Sequence, residues 1–381
     1  MNLTNMRILC VIHLLFLLFL GANACTEIRV TADDKSVIVG RTMEYSVETL
    51  SYLIVEPVEY DHTADLAEGC PSDGNRLSWS NKYTVAYING WEQINQALGG
   101  MNSAGLSVGA LMFPQFTKYQ DVPSSKCGQA VSQYQFTLWL LGNFGSVQEV
   151  RDSMSSGSFP LVFAGRVSGL VLELHFSVID KTGDAIVIEY AETGRQVYNN
   201  TLGVMTNAPP YDFHMLNLRN YVQLSKFNNE PLVLGRDEFP PTGEGSGLLG
   251  MPGDLTPPSR FVRAAVLKGF AKTPKTNTAA VNLAFHVLNS VDIPHGVITK
   301  PILQMFGDFT VWLVAKDLTN NAVYFRDYND LTVRVVYLNN VQQEKVMKIK
   351  MFSKIGGFKD VTADMKPLGD ATEGLKHGNE L

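Results

Sequence analysis

Alternating polar and apolar residues at positions 26–30 predict a β-strand close to the start of the chain. Short apolar runs bounded by turn residues predict further strands at 36–39, 82–88, 106–113, 170–179, 185–190, 308–316, 321–326 and 331–338. Helix-compatible apolar spacing predicts helices at 133–144, 214–224, 261–270 and 278–291. Ser146 and Glu149 form a capping box that predicts one more short helix.

The segments between these elements complete the outline of the fold. Residues 50–83 are irregular and predict a long loop or insertion, and residues 243–258 are rich in Gly and Pro and predict a long ordered loop. Strands at both ends of the chain enclose the helical segments. We therefore expect residues 25–361 to form one α+β domain with stacked sheets and outer helices, followed by a polar tail at 362–381.

The first 24 residues have the pattern of an export signal. Arg7 precedes an apolar stretch at 8–20 that is too short for a comfortable membrane span, and Ala22 and Ala24 form an A-x-A cleavage pattern. No other stretch of the sequence reaches spanning length. We expect residues 1–24 to be removed and the mature protein, which has no transmembrane span, to be periplasmic or secreted.

Cleavage after Ala24 would make Cys25 the first residue, which would then carry both a thiol and a free α-amine. An α-amine has a pKa of about 7.7–8.0, so it can take the proton of the thiol near neutral pH. This is the arrangement of N-terminal-nucleophile amide hydrolases. Two other interpretations stay open: Cys25 is structural, or it is lipidated and anchors a non-enzymatic binding protein.

Composition and charge narrow the class of protein. The chain has 381 residues, of which 45% are hydrophobic and 18% charged, as in globular proteins. A formal net charge of −6 without a basic run argues against nucleic acid as a partner. Cys70 and Cys127 could form a disulfide in an oxidising compartment or remain free. No metal-ligand spacing and no phosphate-binding glycine motif is present, so we expect neither a metal nor a cofactor.

Several polar residues are candidates for chemistry around Cys25. A hairpin of the first two strands can place Arg41, which would favour the thiolate and lower its pKa, and Glu44, which could hold the α-amine, beside this residue. Asn207 precedes prolines that end a strand, so we expect it exposed at a strand tip, where its amide can donate to an oxyanion. A surface ion pair and an ordinary turn asparagine are the alternatives. We expect His286 to be a core or surface histidine.

The sequence resembles the choloylglycine hydrolase family, which holds conjugated bile salt hydrolases and penicillin V acylases. The resemblance rests on Cys25 at the processed start and on the order and spacing of GRTM at 40–43, GMN at 100–102, MTN at 205–207 and GLLGMPGD at 247–254 with SRF at 259–261. It implies an αββα fold, two antiparallel sheets between helical layers, and hydrolysis of a linear, non-peptide C–N amide bond.

The resemblance also implies roles for individual residues. Cys25 corresponds to the nucleophile, Arg41 to the arginine beside it, Asn207 to the side-chain oxyanion donor and Arg260 to a second active-site arginine. The backbone N–H of Met112 corresponds to the other oxyanion donor, and Met43 and Phe113 are expected to contact the substrate.

Two departures from the family pattern concern the site. Glu44 stands where the family usually has Asp, and Met112 stands where bile salt hydrolases often have Asn and penicillin V acylases Tyr. A methionine would give a softer, more apolar pocket wall. The Gly/Pro loop favours a conjugated bile salt as the substrate, which has an apolar acyl group. Penicillin V and acyl-homoserine lactones stay open, as does a homo-oligomer.

Overall fold

The computed structural model describes residues 24–166, 169–299, 307–353 and 362–364. The strands are, in chain order, β1 (Cys25–Thr31), β2 (Val37–Tyr45), β3 (Tyr52–Glu56), β4 (Asp61–Thr63), β5 (Ser78–Ser80), β6 (Val85–Ile88), β7 (Gly99–Asn102), β8 (Leu106–Met112), β9 (Ala130–Ser132), β10 (Leu161–Phe163), β11 (Leu174–Asp180), β12 (Ala185–Ala191), β13 (Gly194–Asn199), β14 (Val204–Met205), β15 (Leu232–Leu234), β16 (Asp237–Phe239), β17 (Phe309–Asp317), β18 (Ala322–Asp327), β19 (Arg334–Tyr337) and β20 (Met347–Lys350). The α-helices are α1 (Gln133–Asn143), α2 (Val147–Ser156), α3 (Tyr211–Asn217), α4 (Pro257–Phe270) and α5 (Asn277–Asn289).

Two antiparallel sheets form the centre of the molecule. Sheet A has six strands in the order β14-β1-β2-β17-β18-β19, and sheet B has eight in the order β13-β12-β11-β8-β7-β6-β3-β20. Helices α4 and α5 contact strands of sheet A, whereas α1 and α2 contact strands of sheet B. The layers therefore run helix, sheet, sheet, helix, which confirms the αββα fold.

Strand register decides which side chains of sheet A face sheet B. Cys25 lies opposite Met43, and Glu27 lies opposite Arg41, so these four side chains share one face. The Arg41 guanidinium donates to the backbone carbonyls of Ala110 in β8 and of Leu98, directly before β7, which shows that this face is the one between the sheets. The alternate residues, among them Thr26, point to the helices.

The helix boundaries follow the capping residues. The Ser146 hydroxyl accepts from the Glu149 N–H at 3.2 Å, and the Glu149 carboxylate accepts from the Gly145 N–H at 2.8 Å, so the predicted cap of α2 is present. Helix α4 begins at Pro257, four residues before the predicted start, because prolines are tolerated in the first turn of a helix.

Some predicted loops and turns are strands in the structure. Residues 50–83 were expected to be a long loop, but they contain β3, β4 and β5, and β3 pairs with β6 and β20 inside sheet B. The predicted turn at 99–105 contains β7. A disulfide joins Cys70 of the 50–83 region to Cys127, which settles the alternative that the sequence left open.

The predicted leader as far as Asn23 and the tail beyond Asp364 lie outside the described residues, so cleavage after Ala24 stays a prediction. Within the described ranges, no helix has the length and apolarity to cross a bilayer.

Candidate active site

Cys25 begins β1 between β2 and β14, and its side chain is buried, with 1% of its surface exposed. Its Sγ atom lies 3.8 Å from the Arg41 Nη2 and 3.8 Å from the Met43 Sδ. Its backbone nitrogen, joined to Ala24 in this structure, donates to the Asn207 Oδ1 at 2.6 Å. The sulfur and the backbone nitrogen of Cys25 therefore each have a polar side chain as a neighbour.

Arg41 is held beside the thiol by the other sheet. Its Nη2 donates to the Ala110 carbonyl at 2.6 Å, and its Nη1 donates to the Leu98 carbonyl. Burial raises the pKa of the Cys25 thiol, and the positive charge of Arg41 opposes this shift without reversing it. Arg41 therefore lowers the pKa of the thiol as predicted, but burial, which the prediction did not include, has the larger effect, and the net shift is upward. If Cys25 is to act as a nucleophile at neutral pH, a base close to the sulfur must take the proton of the thiol.

Asn207 is brought to Cys25, but it is not exposed as predicted. It follows β14 directly and has 2% of its surface exposed, because the proline-rich segment after it leads into α3, which covers the strand end. Its Nδ2 donates to the Met112 carbonyl at 2.8 Å. The prolines end the strand as expected, but the strand end lies inside the molecule.

Arg260 lies in the first turn of α4 and is completely buried. Its Nη1 donates to the Cys25 carbonyl at 2.7 Å and to the Thr26 hydroxyl at 2.6 Å, and its Nη2 donates to the Asn207 Oδ1 at 2.8 Å. The Arg260 guanidinium thus links Cys25 to Asn207. The structure brings Arg260 to Cys25 and Asn207, and its part in a reaction stays a prediction.

The Met112 backbone N–H is directed away from the neighbouring strand β11. The next residue, Phe113, donates its N–H to the Glu173 carbonyl at 2.7 Å, and Met112 itself lies opposite Leu174. Hydrogen-bonded and non-hydrogen-bonded pairs alternate along an antiparallel ladder, so the Met112 N–H points away from β11. It points to the same edge as its carbonyl, which accepts from the Asn207 amide.

Glu44 is placed differently from the prediction. It is adjacent to Met43 along β2, so its side chain lies on the opposite face of sheet A from the Cys25 thiol. Its Oε1 accepts from the Thr310 hydroxyl at 3.0 Å, and no contact with the Cys25 nitrogen is present among the described residues. Burial raises the pKa of the Glu44 carboxyl to about 8, although the nearby Arg260 charge acts in the opposite direction. The Asn207 Oδ1 occupies the position expected for this carboxylate.

A small, mostly apolar cavity lies against the thiol. Met43, Trp91, Leu98, Met112, Leu172 and Leu174 contribute to its wall. Its volume of about 10 Å³ is room for roughly one water molecule, so side chains must move before an acyl group can enter. Met43 therefore lies where a substrate contact was predicted. Phe113 does not line this cavity, because its fully buried ring stacks on His175 instead.

Sequence reasoning missed three buried residues around Asn207, namely His175, Glu189 and His214. The His175 and His214 imidazoles bind the backbone carbonyls of Thr206 and Asn207, and Glu189 binds His175. The only signal in the sequence was the presence of His175 and Glu189 in otherwise apolar strands, and no such signal marked His214, which lies in α3. His286, by contrast, is exposed on α5, within the range of outcomes expected for it. The described residues contain no group of three or more His, Cys, Asp or Glu that could hold a metal ion.

Comparison with known proteins places this site in a family. A family model described as linear amide C–N hydrolases, choloylglycine hydrolase family, matches residues 25–348. This chain belongs to the choloylglycine hydrolase family. As a member of it, the protein is a linear amide C–N hydrolase.

Relatives within the choloylglycine hydrolase family have more than one described activity. A bile salt hydrolase/transferase from Clostridium perfringens is 28% identical over 321 residues, which cover 83% of this chain and 92% of that protein. A penicillin V acylase from Pectobacterium atrosepticum is 25% identical over 278 residues, which cover 68% of this chain and 66% of that protein.

Solved structures of the family share the fold. A conjugated bile acid hydrolase from Clostridium perfringens matches with a TM-score of 0.76 and 26% identity, covering 88% of this chain and 99% of the other. A penicillin V acylase from Agrobacterium tumefaciens matches with a TM-score of 0.69 and 20% identity, covering 86% of this chain and 91% of the other. The second likeness concerns the fold alone.

Proposed function

We propose that this enzyme hydrolyses the amide bond of conjugated bile salts, with Cys25 as its N-terminal nucleophile. One observation carries the proposal: the sulfur of Cys25 lies 3.8 Å from the Arg41 guanidinium while the nitrogen of the same residue lies 2.6 Å from the Asn207 amide oxygen. Similarity over most of the chain to bile salt hydrolases and the apolar cavity wall support the choice of substrate.

The reaction begins with a proton transfer within one residue. Once the leader is removed after Ala24, the Cys25 nitrogen is an amine that can take the thiol proton, which the buried thiol otherwise keeps at neutral pH. The sulfur then attacks the amide carbonyl and forms a tetrahedral oxyanion. The protonated amine gives its proton to the leaving glycine or taurine nitrogen, the C–N bond breaks, and a thioester remains. Water hydrolyses the thioester and releases the bile acid.

The hydrogen bonds of Asn207 fix which end of its amide faces the oxyanion. Its Oδ1 accepts from the Cys25 nitrogen and from Arg260, so the Nδ2 must be the end that donates to Met112. One N–H of Nδ2 is used by the Met112 carbonyl, and the second is available for the oxyanion, together with the Met112 backbone N–H.

Substrate competition tests the proposed activity. The processed enzyme should hydrolyse glycocholate faster than penicillin V or a long-chain acyl-homoserine lactone, and a processed, folded Cys25→Ala variant should hydrolyse none of them. Cys25→Ser should be severely impaired because a hydroxyl is a far weaker nucleophile. Faster turnover of penicillin V or of the lactone would replace the bile salt as substrate, and full amidase activity of Cys25→Ala would refute the mechanism.

A second experiment tests the oxyanion assignment. Asn207→Ala should reduce kcat by roughly a hundredfold to a thousandfold, the usual effect of removing one oxyanion donor. A thermal unfolding curve of the same preparation distinguishes this loss from misfolding. An Asn207→Ala variant that folds and keeps its kcat would exclude the asparagine as a donor.

Removal of the leader is part of the proposal. Export to an oxidising compartment is supported by the A-x-A pattern and by the Cys70–Cys127 disulfide. The intact mass of the mature protein should equal that of a chain starting at an unmodified Cys25. A diacylglyceryl adduct on the Cys25 sulfur would instead identify an anchored protein whose thiol is blocked.

A further inference from the structure

The backbone that carries Asn207 has left the sheet and depends on side chains for its hydrogen bonds. Strand β14 ends at Met205, so the carbonyls of Thr206 and Asn207 have no strand partner there. The Thr206 carbonyl is 2.9 Å from the His175 Nε2, and the Asn207 carbonyl is 2.7 Å from the His214 Nε2. Two consecutive peptide groups are therefore held by two different imidazoles.

The buried carboxylate of Glu189 contacts both His175 and the first residue of the helix that carries His214. The Glu189 Oε1 on β12 lies 3.0 Å from the His175 Nδ1 and also accepts from the Tyr211 N–H at 3.0 Å. Tyr211 is the first residue of α3, the helix that carries His214. Glu189 and both histidines each have no more than 2% of their surface exposed, so water does not compete for these hydrogen bonds.

Each imidazole also stacks on a phenylalanine. Each of these phenylalanines directly follows a residue that hydrogen-bonds the Asn207 side chain. His175 stacks on Phe113 with ring centroids 4.5 Å apart, and Phe113 follows Met112, whose carbonyl accepts from the Asn207 Nδ2. His214 stacks on Phe261 with centroids 4.8 Å apart, and Phe261 follows Arg260, which donates to the Asn207 Oδ1. The main chain and the side chain of Asn207 are thus fixed by the same two clusters.

The carbonyl oxygens that the two imidazoles contact determine which ring nitrogen carries a hydrogen. A carbonyl oxygen can only accept, so each Nε2 must carry a hydrogen. Burial lowers the pKa of His214 to about 4, so this ring stays neutral near physiological pH. Neither ring contacts the cavity at Cys25, so neither is a proton donor to the substrate in this arrangement.

We propose that His214 and His175 are positioning residues that hold the oxyanion-donating amide of Asn207 in place. The inference rests on the proposed function, in which Asn207 stabilises the oxyanion. It assigns both histidines an effect on the rate of the chemical step rather than on substrate affinity, since a displacement of about 1 Å can cost roughly a hundredfold in rate.

Two substitutions at His214 separate the effect of its hydrogen-bond donor from the effect of its aromatic ring. His214→Phe keeps a flat ring against Phe261 and removes the donor, whereas His214→Gln keeps an N–H of similar reach. His214→Phe should lower kcat by roughly tenfold to a hundredfold with little change in KM, and His214→Gln should recover most of this loss. His286→Phe, at an exposed histidine of α5, is the matched control and should leave kcat unchanged. Unchanged kcat in His214→Phe would overturn the proposal.

A double-mutant cycle with Asn207 tests the route of the effect. If His214 acts through Asn207, His214→Phe should cost nothing further in an Asn207→Ala background. An equal loss in both backgrounds would assign His214 a general structural role and overturn the proposal. His175→Gln, which keeps a donor towards the Thr206 carbonyl, should likewise be nearer to wild type than His175→Phe.

A crystallographic readout keeps this test independent of the substrate. In His214→Phe, the Asn207 amide should move away from the Met112 carbonyl, and an amide that stays within hydrogen-bond distance would contradict positioning by His214. If the unmodified enzyme hydrolysed no amide, only the proposed function would be refuted. The position of the Asn207 amide in the His214→Phe crystal structure would still test whether His214 positions it.

Discussion

Glu44 shows at the level of one residue how burial couples the site to pH. Its carboxyl is completely buried, and burial raises its pKa to about 8, whereas an unfolded glutamate has a pKa of about 4.3. Between these values the folded chain holds a proton that the unfolded chain has released. The contribution of Glu44 to stability is therefore present at low pH and is lost as pH rises to about 8.

A glutamine at this position should remove that pH dependence. We expect the free energy of unfolding of Glu44→Gln, from urea titrations at pH 5 to 9, to decline less with rising pH than that of the unmodified enzyme. Glu238→Gln is the matched control, because Glu238 is exposed on β16. Parallel pH profiles for all three proteins would show that Glu44 titrates normally.

Other residues of the site show what could be predicted from sequence. The family resemblance implied that Cys25, Arg41, Asn207 and Arg260 belong to one site, and the structure brings these four residues together. Glu44 differs because the side to which a strand residue points depends on register and not on closeness in sequence. His175 binds the carbonyl of Thr206 from a different strand, and His214 binds the carbonyl of Asn207 from the helix that follows it, and no local sequence pattern indicates these contacts.

At the level of elements, glycines on β7 and β8 make room for charges between the sheets. The Glu27 carboxylate forms a buried ion pair with Lys316 at 3.2 Å, on the same face of β1 as the Cys25 thiol. A Cβ added at Gly109 of β8 would lie 2.4 Å from the Glu27 Oε2. That oxygen cannot move freely, because it is buried and bound to Lys316.

An alanine at Gly109 should therefore destabilise the packing of the two sheets. We expect Gly109→Ala to lower the free energy of unfolding by about 1–3 kcal/mol, the usual cost of overpacking a core. Gly243→Ala is the control, because a Cβ at Gly243 would meet no atom within 4 Å. Equal urea midpoints for the two variants would show that Glu27 can move aside without cost.

The same strands explain why some elements escaped prediction. The Gly99-Gly100 pair reads as a turn in sequence, yet it lies in β7, where a Cβ on Gly100 would be 2.4 Å from the Ala86 carbonyl of β6. These glycines permit close strand approach. Strand β3 has a short apolar run, and its partners β6 and β20 are distant in sequence, so local periodicity gave no reason to place it in a sheet.

At the level of the whole molecule, the layer order could be predicted and the contacts between layers could not. The family resemblance implied two sheets between helices, and the structure has that order. The contacts that build the site cross from one sheet to the other, as when Arg41 of sheet A donates to Ala110 of sheet B. Such contacts depend on how the sheets are stacked, which the sequence pattern of a single strand does not determine.

The Cys70–Cys127 disulfide is a whole-molecule constraint that stands apart from the site. It joins residues 57 positions apart and lies beside a small apolar cluster of Ala67, Ala130 and Phe163, separate from the core cluster that contains Cys25. Closing a loop of this length stabilises a fold by about 4 kcal/mol in the chain-entropy model, and measured values are typically about 2–4 kcal/mol.

Replacing both cysteines should thus lower stability and spare catalysis. We expect Cys70→Ala with Cys127→Ala to reduce the free energy of unfolding by about 2–4 kcal/mol while kcat of the folded enzyme is unchanged. Reductant should lower the urea midpoint of the unmodified enzyme to that of the double variant and leave the double variant's midpoint where it was. A reductant effect of equal size in both proteins would assign the loss to some other group. A fall in kcat with intact folding would show that the disulfide supports the site through the loop it holds, because Cys70 packs against a different apolar cluster from the one that contains Cys25.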